Sequence, residues 1–417
     1  MKKIIISPDK VLFGETVSIK LTGFDSNQEI KLKAKLKDDN KTYISSATFR
    51  ANIDGEVDLN KDAPISGSYT GIEPMGLIVY MTEEDTKEKF VYVKKGLDSN
   101  ITEFSVMVNE KSIMTSTLEQ YILQDTIIQE DLHENNIKGT LFFPKKQNNT
   151  VVICLSGSNG GKPNTMASLF ASHGFTSLAL AYFHYDGLSK TLSQIPLEYF
   201  EKVFEFLKNN PRTKDKKISI VGGSRGAELA LLIASKYSFI NSVVAYAPSH
   251  VLWSGNGDYK QIKSSAWSYN NKDLAFVQVK VKFMELMKYL FSKQALEFTS
   301  TFLHSLDGQI NKDAIIKVEN IKGDILLISG DDDKMWCSTL MATNIMQRLK
   351  EHNFQYNYKH LSYEGAGHMI TTPYFPAKHK NYYHPVDKKI YNLGGNTYSD
   401  LQASKDSWEK VLEFFKK

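Results

Sequence analysis

The sequence predicts two domains of different class, an all-β sandwich over residues 1–135 and a doubly wound, mostly parallel α/β domain over residues 136–417. In the first part, apolar and polar residues alternate with a period of two. In the second part, continuous apolar runs alternate with patterns of helical spacing, which is typical of a parallel sheet covered by helices. The length of 417 residues also favours two domains, because a single domain usually has about 100–200 residues.

The strands of the first part are predicted from alternation and from turn residues. Val17–Leu21 and Ile30–Leu36 each place apolar side chains on one face and polar side chains on the other. This pattern indicates half-buried antiparallel strands. The isoleucine run that follows Lys3 reads as the first strand. Further strands are predicted at Leu77–Met81, Phe90–Val93 and Phe104–Val108.

The second part contains apolar runs without alternation, as expected for strands buried on both faces. These predicted strands are Val151–Leu155, Thr176–Ala181, Ile218–Val221, Val243–Tyr246, Ile325–Ile328 and Tyr356–Leu361. Residues 197–207 have helical spacing. The segment 250–318 is less regular, with aromatic residues and lysines mixed, and is the candidate lid over a site in this architecture.

Composition narrows the function class. The chain is 41% hydrophobic and 24% charged, with a net charge of +4 and no dense block of lysine and arginine, so a nucleic-acid partner is not expected. No apolar stretch approaches the roughly 20 residues of a membrane span, and the first apolar run is shorter than a signal-peptide core. Two cysteines outside any CxxC pair favour a reducing compartment. We therefore expect a cytoplasmic protein without membrane insertion, and no cofactor is predicted.

The most specific local signal is a Gly-x-Ser-x-Gly motif at the junction of a strand and a helix. Ser224 lies between Gly222 and Gly226, directly after the strand Ile218–Val221. A nucleophile at such a sharp turn takes a strained backbone, so the residues two positions away must be almost free of side chains. The alternative is a chance glycine and serine turn, but the strand-turn-helix context favours a nucleophile elbow with Ser224 as the nucleophile.

A serine hydroxyl needs a base, and the base needs an acid that orients it. In this architecture the acid follows a later strand, where the chain has Asp331-Asp332-Asp333. The residues alone do not rank these three aspartates, and each could be a solvated turn residue or a helix cap.

The candidate base follows the last strand. His368 stands after Gly365-Ala366-Gly367, in the correct chain order and on a glycine loop, which favours a catalytic over a structural histidine. The nearby His379 and His384 match no spacing typical of zinc ligands, so no metal site is predicted.

The oxyanion of a tetrahedral intermediate needs two hydrogen-bond donors. The backbone N–H of Arg225, the residue after the nucleophile, is the first candidate. The second is the backbone N–H of Ser158 or Asn159 in the glycine-rich loop after the first strand of the α/β domain. An ordinary strand-helix turn is the alternative for this loop.

Several longer motifs resemble the acyl-CoA thioesterase and bile acid-CoA:amino acid N-acyltransferase family, and the similarity extends over nearly the whole chain. They are Gly67–Leu77, Leu180–Phe183, Leu197–Glu201, the elbow, Gly367-His368 with Pro373–Pro376, Gly394-Gly395, and Trp408 with Phe414-Phe415. The resemblance implies an N-terminal immunoglobulin-like sandwich followed by an α/β-hydrolase domain. It also implies that Asp333, the second member of an Asp-Asp pair before a tryptophan, is the acid.

The identity of the nucleophile divides that family. Transfer to amino acids is associated with cysteine at the elbow, whereas thioesterases carry serine, so Ser224 favours hydrolysis of acyl-CoA to a free fatty acid and CoA. The chain departs from the family pattern at Arg225, Asp331, Lys334 and across residues 250–318. The alternatives are an acyl-CoA:amino acid N-acyltransferase, a general carboxylesterase without CoA preference, and a non-enzymatic binding protein.

Overall fold

A computed structural model describes residues 1–86, 89–132, 134–256, 263–308 and 310–417, and the side chain of Asn135 lies outside this description. The chain divides into two compact units. The first comprises Met1–Gln124 with Thr372–Asn381, and the second comprises Asp125–Thr371 with Tyr382–Lys417. The sequence predicted a boundary between residues 135 and 136. The structure places residues 125–135 with the second unit, because Ile128–Leu132 pairs with Lys138–Phe143.

The first unit is built on two sheets. Its strands are β1 (Lys3–Ser7), β2 (Lys10–Leu12), β3 (Ser18–Thr22), β4 (Glu29–Asp38), β5 (Lys41–Arg50), β6 (Val57–Asp58), β7 (Ser66–Gly67), β8 (Thr82–Glu83), β9 (Asn100–Val108) and β10 (Lys111–Tyr121). One sheet has the order β1-β3-β6. The other has the order β2-β10-β9-β4-β5-β7, with β8 also paired to β5, and only the pair of β2 and β10 is parallel.

The alternation read from the sequence is confirmed in β4. Ile30, Leu32, Ala34 and Leu36 are at most 1% exposed, while the residues between them face outward. A two-residue turn joins β4 to β5, and Asp39 in this turn has a φ of 55°. The tight turn fixes the register, in which Asp38 pairs with Lys41.

The strand predicted at Leu77–Met81 is wrong. This stretch begins with a single helical turn, α1 (Gly76–Val79), and its side chains are fully buried. A short apolar run without alternation does not distinguish a buried strand from a buried helical turn. The strand predicted at Phe90–Val93 is reduced to one bridge at Phe90.

The second unit contains an eight-stranded sheet and two small ones. Its strands are β11 (Ile128–Leu132), β12 (Lys138–Phe143), β13 (Thr150–Leu155), β14 (Thr176–Ala181), β15 (Ile195–Pro196), β16 (Lys217–Gly223), β17 (Ile240–Tyr246), β18 (Trp267–Tyr269), β19 (Lys272–Asp273), β20 (Asp324–Gly330), β21 (Tyr358–Tyr363), β22 (Asn381–His384, whose last three residues belong to this unit) and β23 (Lys389–Asn392).

The large sheet has the order β11-β12-β14-β13-β16-β17-β20-β21. The pairs formed by β12 are antiparallel and the remaining pairs are parallel. Every residue of β13 and β14 is buried, which confirms strands covered on both faces. A mostly parallel sheet in this order, with an antiparallel start, is the α/β-hydrolase arrangement.

The helices of this unit are α2 (Asn164–Ser172), α3 (Glu198–Asn209), α4 (Arg225–Lys236), α5 (Phe283–Phe291), α6 (Thr299–Leu306), α7 (Ser338–Glu351) and α8 (Thr397–Lys416). Within the residues the structure describes, none of the helices is long and apolar enough to cross a membrane. Residues 257–262 and 309 of the predicted lid lie outside the described residues. The first part of that segment is core, since Trp253 and Trp267 are fully buried.

A buried ion pair fastens α4 to this core segment. The Arg225 guanidinium lies 3.0 Å from the Glu228 carboxylate and donates to the Ser254 carbonyl at 3.0 Å. The second carboxylate oxygen of Glu228 accepts from the backbone N–H of Trp253 at 3.0 Å and from the indole N–H of Trp267 at 2.7 Å. Both charged side chains are almost fully buried, so each depends on the other for charge compensation.

We expect Glu228→Gln to destabilise the protein strongly, because it leaves the Arg225 charge buried without a counterion. Removing one partner of such a pair costs about 3–5 kcal/mol. Thermal and urea unfolding would measure the loss. Glu130→Gln is the matched control, since the Glu130 pair with Arg212 is half exposed and should change stability by about 1 kcal/mol or less. Equal effects of the two variants would contradict this role of the buried pair.

Candidate active site

The predicted nucleophile lies on a strained turn between β16 and α4. Ser224 has φ 57° and ψ −122°, a conformation that a residue with a side chain rarely adopts. The turn is held by backbone hydrogen bonds, since the N–H of Ser224 donates to the Tyr246 carbonyl at 2.8 Å and the Ser224 carbonyl accepts from Ala227 at 2.9 Å. The sharp turn presents the hydroxyl at the carboxyl end of the sheet.

The glycines of the motif are required by close backbone contacts. A Cβ at Gly222 would lie 2.2 Å from the Gly226 carbonyl oxygen, and a Cβ at Gly226 would lie 2.4 Å from the Ser156 carbonyl oxygen. A Cβ at Gly157 would meet the Cβ of Ser224 at 3.4 Å. The loop after β13 therefore lies directly beside Ser224.

The contacts of the three aspartates differ, which bears on the choice of Asp333 that the local pattern left open and the family resemblance implied. Asp333 is 5% exposed, and one of its carboxylate oxygens accepts a hydrogen bond from Nδ1 of His368 at 2.8 Å. Asp331 instead accepts from the backbone N–H of Gly365 at 2.6 Å. Asp332 accepts from the Gly395 N–H and pairs with Lys334 at 2.6 Å. Only Asp333 among the three contacts the candidate base.

Other donors fix the orientation of the Asp333 carboxylate. Its first oxygen accepts from the backbone N–H groups of Met335 at 2.9 Å and Trp336 at 3.2 Å. Its second oxygen accepts from the Ser338 hydroxyl at 2.6 Å. These bonds hold the carboxylate in one orientation with its second oxygen toward His368, as an acid that orients an imidazole requires.

The imidazole of His368 is held in one tautomer. An ionised carboxylate only accepts hydrogen bonds, so Nδ1 of His368 carries the hydrogen and Nε2 of the neutral ring is left with a free lone pair. The backbone N–H of His368 donates to the Leu393 carbonyl at 2.8 Å, and the Trp336 ring packs edge-on against the imidazole at 6.1 Å. Nε2 is the atom that a general base uses.

The candidate oxyanion residues occupy two neighbouring places. Arg225 begins α4, where first-turn N–H groups have no acceptor within the helix. Ser158 and Asn159 follow Gly157 in the loop beside Ser224. Across the described ranges, neither of their backbone N–H groups donates to a protein acceptor. Both groups are therefore available to an external oxygen.

Two histidines support this loop: His184, to which the sequence patterns assigned no role, and His384, which was considered only as a possible metal ligand. Nε2 of His384 lies 3.0 Å from the Ser158 hydroxyl, and Nδ1 of His184 lies 3.0 Å from the Asn159 carbonyl oxygen. His184 follows the carboxyl end of β14, and in a parallel sheet this position could have indicated from the sequence that it lies near the site. His384 lies far along the chain and gave no comparable signal.

Neither cysteine competes as a nucleophile. Burial raises the pKa of the Cys337 thiol to about 11 and raises the pKa of Cys154 well above its usual value. A thiol is nucleophilic only as the thiolate. Within the described parts of the chain, no three histidine, cysteine, aspartate or glutamate side chains converge as metal ligands.

Two family models match the chain. The model described as "Acyl-CoA thioester hydrolase/BAAT N-terminal region" matches residues 14–134, and the model described as "BAAT / Acyl-CoA thioester hydrolase C terminal" matches residues 195–417. Together they span most of both units.

Curated relatives resemble the chain over its full length. The acyl-coenzyme A amino acid N-acyltransferase 1 of Mus musculus is 30% identical and covers 100% of this chain and 98% of its own. The peroxisomal succinyl-coenzyme A thioesterase of Mus musculus is 29% identical, over 97% of this chain and 93% of its own length. Among solved structures, a dienelactone hydrolase from Anabaena variabilis is 13% identical, with a TM-score of 0.35 over 71% of this chain and 98% of its own. The chain belongs to the acyl-CoA thioester hydrolase and bile acid-CoA:amino acid N-acyltransferase family.

Proposed function

We propose that this protein hydrolyses acyl-CoA thioesters through a Ser224–His368–Asp333 triad. The observation that carries the proposal is the hydrogen bond from Nδ1 of His368 to Asp333, together with Ser224 on the strained elbow of the same sheet. Membership of a family that contains thioesterases supports CoA as the leaving group.

The mechanism follows from the tautomer of His368. Nε2 takes the proton of the Ser224 hydroxyl while the serine oxygen forms a bond to the thioester carbonyl carbon. The resulting oxyanion is stabilised by the N–H of Arg225 and the N–H of Ser158 or Asn159. His368 gives this proton to the sulfur as the carbon–sulfur bond breaks, so CoA leaves as the thiol and an acyl-serine remains. The neutral His368 then takes a proton from water, which attacks this ester, and returns that proton to the Ser224 oxygen as the fatty acid is released.

Hydrolysis is favoured over transfer by the nucleophile. The resemblance associates serine at the elbow with thioesterases and cysteine with transfer to amino acids, and this chain has Ser224. Relatives named as amino acid N-acyltransferases also match over the full length, so transfer to an amino acid is the second candidate. A carboxylesterase without CoA preference is the third.

The same proposal includes the finer assignments of fold and location. The first unit is proposed to be an immunoglobulin-like sandwich, because the resemblance implies one and its two sheets are mostly antiparallel. The protein is proposed to act in the cytoplasm in fatty acid metabolism. Fractionation of cells that produce the native chain would test the location.

We expect Ser224→Ala to abolish CoA release from a series of acyl-CoAs of increasing chain length, while the wild type releases CoA with a preference for certain lengths. The variant removes the only atom that forms the acyl-enzyme. A thiol reagent would follow CoA release, and circular dichroism would verify folding. Near-wild-type rates in the variant would refute the assignment of the nucleophile.

Product identification separates the three candidate functions in the same assay. Free fatty acid as the only product, with or without glycine or taurine, supports hydrolysis. An N-acyl amino acid would replace the proposal by transfer. Cleavage of oxygen esters without any CoA release would replace it by a carboxylesterase.

We also expect Asp333→Asn to lower kcat by a factor on the order of 10⁴, because the amide stabilises the wrong tautomer of His368 and cannot compensate an imidazolium. Asp331→Asn and Asp332→Asn are the matched controls, since their carboxylates contact glycine N–H groups and not His368. Steady-state kinetics of the purified variants would measure the difference. A loss of kcat in Asp332→Asn as large as in Asp333→Asn would contradict the choice of acid.

A further inference from the structure

Helix α5 turns its apolar side chains toward solvent. Phe283 is 71% exposed, Met284 68% and Phe291 76%, and Leu286 and Leu290 are also exposed. None of the nine residues of α5 is buried. An ordinary surface helix packs its apolar stripe against the core and points its polar face outward, so this helix has the reverse orientation.

The polar side of α5 faces the protein. The Glu285 carboxylate accepts hydrogen bonds from the Ser300 hydroxyl at 2.8 Å and from the backbone N–H of Lys282 at 3.1 Å. One turn further along the same side, the Tyr289 ring lies under the ammonium group of Lys389 at 5.4 Å. These contacts fix the rotation of the helix, and they leave the apolar side without a covering surface among the described residues.

Lysines surround this apolar side. Residues 280–293 contain four lysines and one glutamate, a formal net charge of +3, and the glutamate is held by the contacts above. The lysines are all exposed: Lys280, Lys282, Lys288 and Lys293. A short helix with exposed Phe, Leu and Met on one side and lysines around it matches the composition of helices that lie in the membrane interface.

We propose that residues 280–293 bind the surface of an anionic lipid bilayer. The apolar side of α5 enters the boundary between headgroups and acyl chains, and the four lysines contact lipid phosphates. A second copy of the chain fits less well, because a two-fold contact through this side would bring equivalent lysines toward each other without compensating acidic residues. The proposal does not depend on the proposed enzymatic reaction.

The test is sedimentation of the full chain with vesicles. Wild type should bind vesicles of phosphatidylcholine with phosphatidylserine, bind neutral phosphatidylcholine vesicles much more weakly, and lose binding as salt is raised. Phe283→Ser with Phe291→Ser should lower the bound fraction at least tenfold, and Lys280→Gln with Lys282→Gln should weaken binding to the anionic vesicles. Ile53→Ser with Tyr398→Ser, which removes exposed apolar side chains elsewhere, should bind as the wild type does.

The proposal is overturned if wild type does not bind anionic vesicles, or if the Phe283 and Phe291 variant binds them equally well. It is also overturned if wild type is a dimer that this variant dissociates, because the second copy would then cover the helix. Unchanged melting temperatures of the variants would exclude unfolding as the cause of lost binding.

A second inference comes from the buried group behind Ser158. The His384 side chain is 3% exposed, and its Nδ1 accepts a hydrogen bond from the backbone N–H of Asp387 at 3.2 Å. The Asp387 carboxylate lies 3.4 Å from the same nitrogen and accepts a hydrogen bond from the Tyr391 hydroxyl. Burial lowers the pKa of His384, the charge of the Asp387 carboxylate opposes this shift, and the neighbouring His184 adds to it.

The contacts of His384 indicate which of its two ring nitrogens carries the hydrogen. Because Nδ1 of the neutral ring accepts from the Asp387 N–H, the ring hydrogen is on Nε2 and is donated to the Ser158 oxygen. The Ser158 hydroxyl hydrogen is then free to donate to another acceptor. Ser158 is the neighbour of Gly157, where an added Cβ would lie 3.4 Å from the Cβ of Ser224.

On the basis of the proposed function, we infer that the Ser158 hydroxyl is a side-chain donor to the oxyanion and that His384 is a positioning residue. The ring hydrogen of His384 occupies a lone pair of the Ser158 oxygen and orients its hydroxyl as a donor. The site would then stabilise the oxyanion with a hydroxyl in addition to backbone N–H groups.

Kinetics of Ser158→Ala, Ser158→Thr and His384→Phe test this role. Ser158→Ala should lower kcat by a factor on the order of 10² with little change in KM, as for removal of one oxyanion donor. Ser158→Thr, which keeps the hydroxyl, should recover most of that loss. The Ser158→Ala with His384→Phe double variant should be no slower than the slower single variant, because both changes remove the same interaction.

An unchanged kcat in Ser158→Ala, in an enzyme whose activity depends on Ser224, would overturn this inference alone. So would a change confined to KM, which would indicate substrate packing. Activity that does not depend on Ser224 would instead refute the proposed function.

Discussion

The backbone at Ser224 is the constraint on which the arrangement of the site depends. A φ of 57° is tolerated only because its neighbours leave room for the turn. Gly222 lies against the Gly226 carbonyl, and Gly226 lies against the Ser156 carbonyl. The elbow therefore also fixes the end of β13 next to the start of α4. Any side chain at these glycines would separate Ser224 from the loop that holds Ser158.

The parallel sheet brings the other residues to the same edge. Ser158, Ser224, Asp333 and His368 each follow the carboxyl end of a parallel strand, namely β13, β16, β20 and β21. Carboxyl ends of parallel strands meet on one side of a sheet, so these residues, up to 210 positions apart in the chain, lie along the same edge of the sheet. Local hydrogen bonds, such as that from Ser338 to Asp333, then select the individual side chains.

Sequence patterns predicted the parts of this structure that depend on period and chain order. The buried strands, the elbow and the glycine loop before His368 have local signatures. The ranking of Asp331, Asp332 and Asp333 has no local signature, because it depends on which carboxylate meets His368 across 35 residues, and Asp333 was chosen only through the family resemblance. Tertiary packing also determines the helical turn at Gly76–Val79 and the contact of His384 with Ser158. A local sequence pattern contains no information on such packing.

Packing also links the predicted lid segment to the candidate base. The ring of Trp253 contacts Phe302 edge-on at 4.8 Å, Phe302 contacts Trp336 at 5.5 Å, and Trp336 contacts the His368 imidazole at 6.1 Å. Glu228 holds the Trp253 end of this series through the backbone N–H of that residue. The helix α4, which begins directly after Ser224, thus anchors the aromatic series that borders the imidazole. This aromatic series thus connects the segment held by Glu228 to the surroundings of His368, while α5 in the same segment faces outward.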